Sequence, residues 1–199
     1  MRRENKGVNG HIQITLHGRT RHGITVKLAD TVKGAEMGEM ANRKIFLEVC
    51  MGIEALCADL YHYYSEIYVD TPEAALLWKK TAIEEENHQR QFELALRLLD
   101  ETEFDVSQSS LDRAYSIQCK LLKLTNHVKS DKPELMVAVS RAVEMEANLA
   151  DLHAHTSLNF KEESMQNMFK ALGEADRDHV SDMQRFHTIL SLPNCDMNG

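Results

Sequence analysis

The chain has 199 residues, 43% of them apolar and 27% charged, which suits one domain with a sizeable core and excludes wholesale disorder. Nine Gly and three Pro are too few for an all-β sandwich or a Gly-rich nucleotide fold, and the four scattered cysteines (Cys50, Cys57, Cys119, Cys195) form no Cys-x-x-Cys, which excludes a zinc knuckle, a thioredoxin-type pair and a disulfide framework. The net charge of −8 is uneven: residues 1–33 carry +5 and the remaining 166 carry −13, so the acidic body repels phosphates and no nucleic acid is expected as a partner.

No run of 18 apolar residues exists, and no signal-peptide core follows Met1. The expectation is a soluble, reducing, cytoplasmic location without a membrane segment.

Residues 1–33 read as a basic arm, separate from a domain over 34–199. Within the arm Ile12, Ile14 and Leu16, then Ile24, Val26 and Leu28, alternate with polar residues at the period of a strand. The intervening His17–Gly23 segment suits a hairpin loop, so a short β-hairpin is expected there. An isolated hairpin is marginal in water and needs a cover. A second subunit, drawn by the −13 body, is the expected one, giving a homodimer or a larger homo-oligomer.

From about residue 35 the period becomes helical. Helices are expected over about 35–69, 72–100, 132–157 and 164–191, with an extra one at about 110–127. Thr71 and Pro72 suit the N-cap and first position of one helix. Asp131 and Glu134 have capping-box spacing at the start of another. Two short connections imply two antiparallel hairpins, and the long one between the second and third of the four main helices spans the bundle. An all-α four-helix bundle of ferritin-like arrangement is therefore expected.

Each long helix carries an apolar stripe broken near its middle by a carboxylate: Glu54, Glu85, Glu146 and Asp176. On the second and fourth stripes a histidine follows three residues later, His88 and His179. One such break is ordinary, since a side chain reaching to solvent explains it. Four in one core need counter-charge, because burying unpaired carboxylates costs several kcal/mol apiece. No Lys or Arg lies on these stripes, so bound cations are the expected counter-charge, and iron or manganese suits carboxylate and imidazole ligands.

The levels agree. Glu54 lies 16 residues before Asp70 and Glu85 lies 14 after Thr71, while Glu146 lies 13 before Asn159 and Asp176 lies 13 after Glu163. At ~1.5 Å per residue the members of each pair differ in height by roughly 3 Å or less. The chain also repeats itself: residues 53–61 match 145–153 at Glu, both Ala, Asp and Leu, and Glu85-x-x-His88 matches Asp176-x-x-His179. Two related hairpins around a pseudo-two-fold axis would build a dinuclear site.

On these motifs residues 45–98 and 136–190 resemble the ferritin-like di-iron carboxylate superfamily, and within it the rubrerythrins. The Glu54 to Tyr61 spacing followed by Tyr63, with Glu85-Glu86-Asn87-His88 and Phe92, resembles the first rubrerythrin hairpin. The resemblance implies two iron ions, with manganese as the alternative, on Glu54, Glu85, His88, Glu146, Asp176 and His179. It implies an oxidoreductase acting on peroxide or dioxygen. The alternatives are a ferroxidase of iron storage and a metal-free structural or partner-binding bundle.

Three departures from the family matter. The rubredoxin module is missing, so electrons must come from a separate donor protein. Leu149 stands where rubrerythrins carry a second Glu. The fourth carboxylate is the shorter Asp176. His153 occupies the place that Tyr61 has in the repeat, read as a hydrogen-bonded core histidine with an additional ligand as the alternative. Tyr61 is expected beside a ligating carboxylate, and Asp59 and Asp151 at the surface. Cys50, Cys57 and Trp78 are expected in the core.

Overall fold

The computed structural model describes the backbone of residues 23–101 and 103–192, and the side chains of 38–101 and 103–192. The chain divides into two compact units, Met1–Met37 and Gly38–Gly199, and the bundle contacts belong to the second. Among the described residues five α-helices follow in order: α1 (Gly23–Ile67), α2 (Pro72–Arg97), α3 (Gln108–Ser130), α4 (Leu135–Ser157) and α5 (Glu163–Ser191). The described residues are all-helical apart from turns, loops and one isolated bridge between Phe104 and Phe160.

Side-chain contacts fix the topology. Tyr61 stacks on Trp78 while Glu54 faces His88, so α1 and α2 run antiparallel. His153 meets Asp176 and Glu146 meets His179, so α4 and α5 do the same. Tyr61 reaches Glu146, Glu54 faces His153, and Tyr68 donates to the carbonyl of Pro133, which sets α1 against α4. Phe92 packs edge-on to Phe169 while Lys80 pairs with Asp182, which sets α2 against α5. Each neighbouring pair is antiparallel, so α2 and α4 point the same way and their connection must travel the bundle's length.

The crossover is α3. Its 23 residues span ~35 Å at helical rise. Ser107 caps it, its hydroxyl accepting from the amide of Ser110, and Arg113 pairs with Asp151 near the far end of α4. The loops at that end are tied by two backbone hydrogen bonds, Asp105 to Asn159 and Lys161 to Glu103, beneath stacked Phe104, Phe160 and Phe169. At the opposite end Trp78, Tyr61, Tyr64 and Tyr68 form an aromatic cluster. Burying each such ring contributes ~1.5–3 kcal/mol, so two aromatic plugs hold the bundle around its middle layer.

Two sequence expectations need correction. The first half of the expected hairpin, residues 12–16, lies outside the described residues, but its second half, 24–28, is helical within α1. Ile24, Leu28 and Val32 recur at four-residue spacing, and that helical period overrides the short alternation. The Asp131–Glu134 capping box does not form. Asp131 closes α3 as its C-cap, and Glu134 is the N-cap of α4 without a side-chain cap. Pro133 explains this, because the residue before a proline is pushed out of the helical region. Thr71 does occupy the N-cap position with Pro72 behind it, yet its side chain makes no capping hydrogen bond.

No helix among the described residues is long and apolar enough to cross a membrane.

Candidate metal centre

Glu54, Glu85, Glu146 and Asp176 are all fully buried, one from each of α1, α2, α4 and α5. They face inward because they replace apolar residues on stripes that point at the core, between Cys50 and Cys57 on α1 and between Ala82 and Phe92 on α2. His88 and His179, one turn beyond their carboxylates, are 4% exposed and turn Nδ1 toward the cluster. All six expected ligands therefore converge on one layer.

Two sets of donor atoms lie close enough together to share an ion. One is Glu85, Glu146, Asp176 and His179; the other is Glu54, Glu85 and His88. Glu85 belongs to both. Its Oε1 lies 3.0 Å from His179 Nδ1 and its Oε2 lies 3.1 Å from His88 Nδ1, so its two oxygens serve opposite halves of the layer. His179 Nδ1 is also 3.2 Å from Glu146 Oε2, and His88 Nδ1 is 3.6 Å from Glu54 Oε2. The two imidazoles stack at 5.8 Å between centroids. The two carboxylate-x-x-His motifs of the sequence repeat thus bring their histidines face to face within the layer.

The donors fit a divalent cation. Both oxygens of Glu54, Oε1 of Glu85 and Oδ1 of Asp176 are buried without a hydrogen bond. Buried polar atoms are nearly always satisfied, and lone pairs on carboxylates that face one another call for positive charge. The set could hold a metal ion on its chemistry alone, since carboxylate with imidazole suits iron, manganese or cobalt.

Surrounding groups orient these donors. The Tyr61 hydroxyl donates to Glu146 Oε1 across the α1–α4 interface, as the sequence suggests. His153, fully buried, donates from Nδ1 to Asp176 Oδ2 at 2.7 Å, and its Nε2 lies 3.2 Å from Glu54 Oε1. Glu84 escapes sequence reasoning. It accepts a hydrogen bond from His179 Nε2 at 2.8 Å, which leaves Nδ1 free to act as a donor atom. Its adjacency to Glu85 is the only sequence signal. Asp59 and Asp151 are exposed, Asp151 on Arg113; Leu149, Cys50, Cys57 and Trp78 are core residues.

Electrostatics follow from this crowding. Burial pushes Glu146 up, aided by the Glu85 charge and opposed by His179, to about 7. Burial alone would also raise Glu54, but contacts with His153 and His88 leave it below the ordinary carboxyl value. Burial lowers the imidazoles, yet Glu54 and Glu85 lift His88 to about 10, and Glu146 and Glu85 lift His179 to about 12. His153 is driven up by Asp176 and Glu54 despite its burial. Burial and then the site's carboxylates push the Cys57 thiol up, so it stays a neutral packing group. Protons held on the histidines thus occupy the place that cations would take.

No protein family, curated protein or solved structure matches the chain.

Proposed function

We propose that this chain is a rubrerythrin-like member of the ferritin-like superfamily that holds two iron ions, with manganese as the alternative, and reduces peroxide or dioxygen with electrons from a separate donor protein. The supporting observation is the layer itself. Four carboxylates from four helices and two imidazole Nδ1 atoms converge there, with four carboxylate oxygens lacking any hydrogen bond. A structural bundle has no use for such a core, since well-packed apolar residues of similar volume are as stable or more so.

Bound there, the ions would supply reversible electron exchange with the oxidant. The chain's own groups do the rest. Glu85 divides its oxygens between the two halves of the layer and so fixes their separation. Tyr61 pins one oxygen of Glu146 and leaves Oε2 turned toward His179. Glu84 holds the His179 ring in the orientation that points Nδ1 inward. Leu149, fully buried one turn after Glu146, brings no further carboxylate from α4. The aromatic plugs at both ends of the bundle keep bulk water from the layer.

Anaerobic reconstitution with ferrous iron, followed by stopped-flow mixing with peroxide and an added electron donor, tests this. Two irons per chain and multiple-turnover peroxide loss are the expected results. Fewer than one metal per chain would overturn the metal centre. Growth of a mineral core in a large assembly would replace the enzyme with iron storage.

A further inference from the structure

The two sets of donor atoms are unequal in number and charge. Glu85, Glu146, Asp176 and His179 bring three carboxylates and one imidazole, from α2, α4 and α5. Glu54, Glu85 and His88 bring two carboxylates and one imidazole, from α1 and α2 alone. Glu85 serves both sets, so ions in the two positions share one carboxylate.

Their support differs too. In the larger set three donors have their outer atom already held. Tyr61 holds Glu146 Oε1, His153 holds Asp176 Oδ2 at 2.7 Å, and Glu84 holds His179 Nε2 at 2.8 Å. In the smaller set neither oxygen of Glu54 is hydrogen-bonded, although both are buried. Its Oε2 stands 3.6 Å from His88 Nδ1, against 3.2 Å between Glu146 Oε2 and His179 Nδ1. Ligand charge and rigidity set how tightly carboxylates hold a divalent ion, and a missing outer partner typically costs ~10–100-fold in affinity. An ion entering second is also repelled by the first.

We propose that the centre fills in a fixed order, with the Glu85, Glu146, Asp176 and His179 position first, and that arrival of the second ion at Glu54, Glu85 and His88 switches peroxide reduction on. This rests on reading the layer as a dinuclear iron centre. Peroxide takes two electrons and two protons to become two waters, and its O–O bond breaks. Each ferrous ion gives one electron and becomes ferric. A chain with one ion holds half of what one peroxide needs, and a chain with two holds all of it. The donor protein then returns both electrons. Metal supply thus sets activity through the weaker position.

Stepwise cobalt(II) titration of the full-length, metal-free, 15N-histidine-labelled chain tests the order. An imidazole bound through Nδ1 keeps its Nε2–H, whose NMR signal the unpaired electrons of cobalt shift strongly. One equivalent should give one such signal, from His179. A second, from His88, should appear only between one and two equivalents, with the affinities of the steps about tenfold or more apart. Glu84→Ala identifies the first signal, because loss of its acceptor speeds exchange of the His179 proton with water. Glu54→Gln should leave the first step in place and weaken the second about a hundredfold or more, beyond the cost of an outer partner. In a parallel anaerobic titration with ferrous iron, peroxide loss should follow the second equivalent.

Signals that grow together from the first addition, or a His88 signal that appears first, would overturn the order and leave the metal centre standing. Peroxide loss that tracks the first equivalent would overturn the switch. No peroxide loss at two bound irons would overturn the proposed activity, and the switch with it. A chain that binds no cobalt would overturn the metal centre as well. Where Glu54→Gln does not fold, the order of the wild-type signals decides.

Discussion

Glu84 is half-exposed, yet its Oε2 accepts the Nε2–H of His179, a ring that is itself almost wholly buried. Lys80 reaches toward the same glutamate at 3.9 Å and pairs with Asp182 at 3.3 Å, so the contact lies in a small charge network between α2 and α5. Removing an outer partner of a metal-binding histidine typically weakens metal affinity ~10–100-fold. Glu84→Ala is therefore expected to weaken metal binding by about that range. Glu86→Ala, two residues on, removes only surface contacts, with His62 and Arg90, and should leave the affinity unchanged. Equal affinities in a metal titration of the two variants would refute the role of Glu84. The difference between these neighbours marks what a sequence can reveal. Glu54, Glu85, His88, Glu146, Asp176 and His179 are legible because each breaks an apolar stripe. Glu84 is turned ~100° from Glu85 about the helix axis, so it reads as surface until α5 is packed against α2.

At Gly173 of α5 the backbone of α4 comes close. A Cβ there would lie 3.2 Å from both the carbonyl oxygen of Ala150 and the amide nitrogen of Ala154, and 3.5 Å from His153 Cβ. Two of those neighbours are backbone and cannot step aside. Gly52 differs, because its added Cβ would meet only the end of the Gln118 side chain. Alanine is better than glycine in a helix by ~0.8–1.0 kcal/mol, whereas overpacking costs ~1–3 kcal/mol. Gly52→Ala is expected to be neutral or slightly stabilising. Gly173→Ala should lose about 1–2 kcal/mol in chemical denaturation and weaken metal binding, because it pushes His153 away from Asp176. A Gly173→Ala chain as stable as Gly52→Ala would show that the helices slide freely. Helix positions were legible because Pro72, Pro133 and the period of the stripes punctuate the chain. The capping box was not, since Pro133 moves the start of α4 beyond it and gives Asp131 to the end of α3. Residues 24–28 carry three alternating apolar positions, too few to outweigh the helical spacing that continues into α1.

Across the whole bundle, the middle layer sets four carboxylates against three imidazoles, between plugs of aromatic side chains. Two divalent ions would neutralise the four carboxylates and leave the histidines uncharged. Without metal, protons must serve instead, and this makes stability depend on pH with a definite sign. His88 and His179 are raised to about 10 and about 12 by their carboxylate neighbours, above the ordinary histidine value. Their contribution is fully present below about pH 6.5 and is lost as pH rises toward those values. Glu146, raised by burial to about 7, acts in the same direction, since the folded chain holds its proton longer than the unfolded one. The lowered Glu54 acts oppositely, but only below the ordinary carboxyl range. Each proton held by the folded chain alone removes ~1.4 kcal/mol per unit rise in pH. Metal binding requires neutral imidazoles and so releases protons, becoming tighter as pH rises. Calorimetry between pH 6 and pH 9 should therefore show the Tm of the metal-free chain falling, while metal loading raises Tm at every pH and by more at pH 9. A metal-free Tm that climbs over this range would mean that the histidines are not held protonated by the carboxylates. A gap between loaded and metal-free chains that stays flat with pH would mean that the ions bind without displacing those protons, and hence somewhere other than this layer.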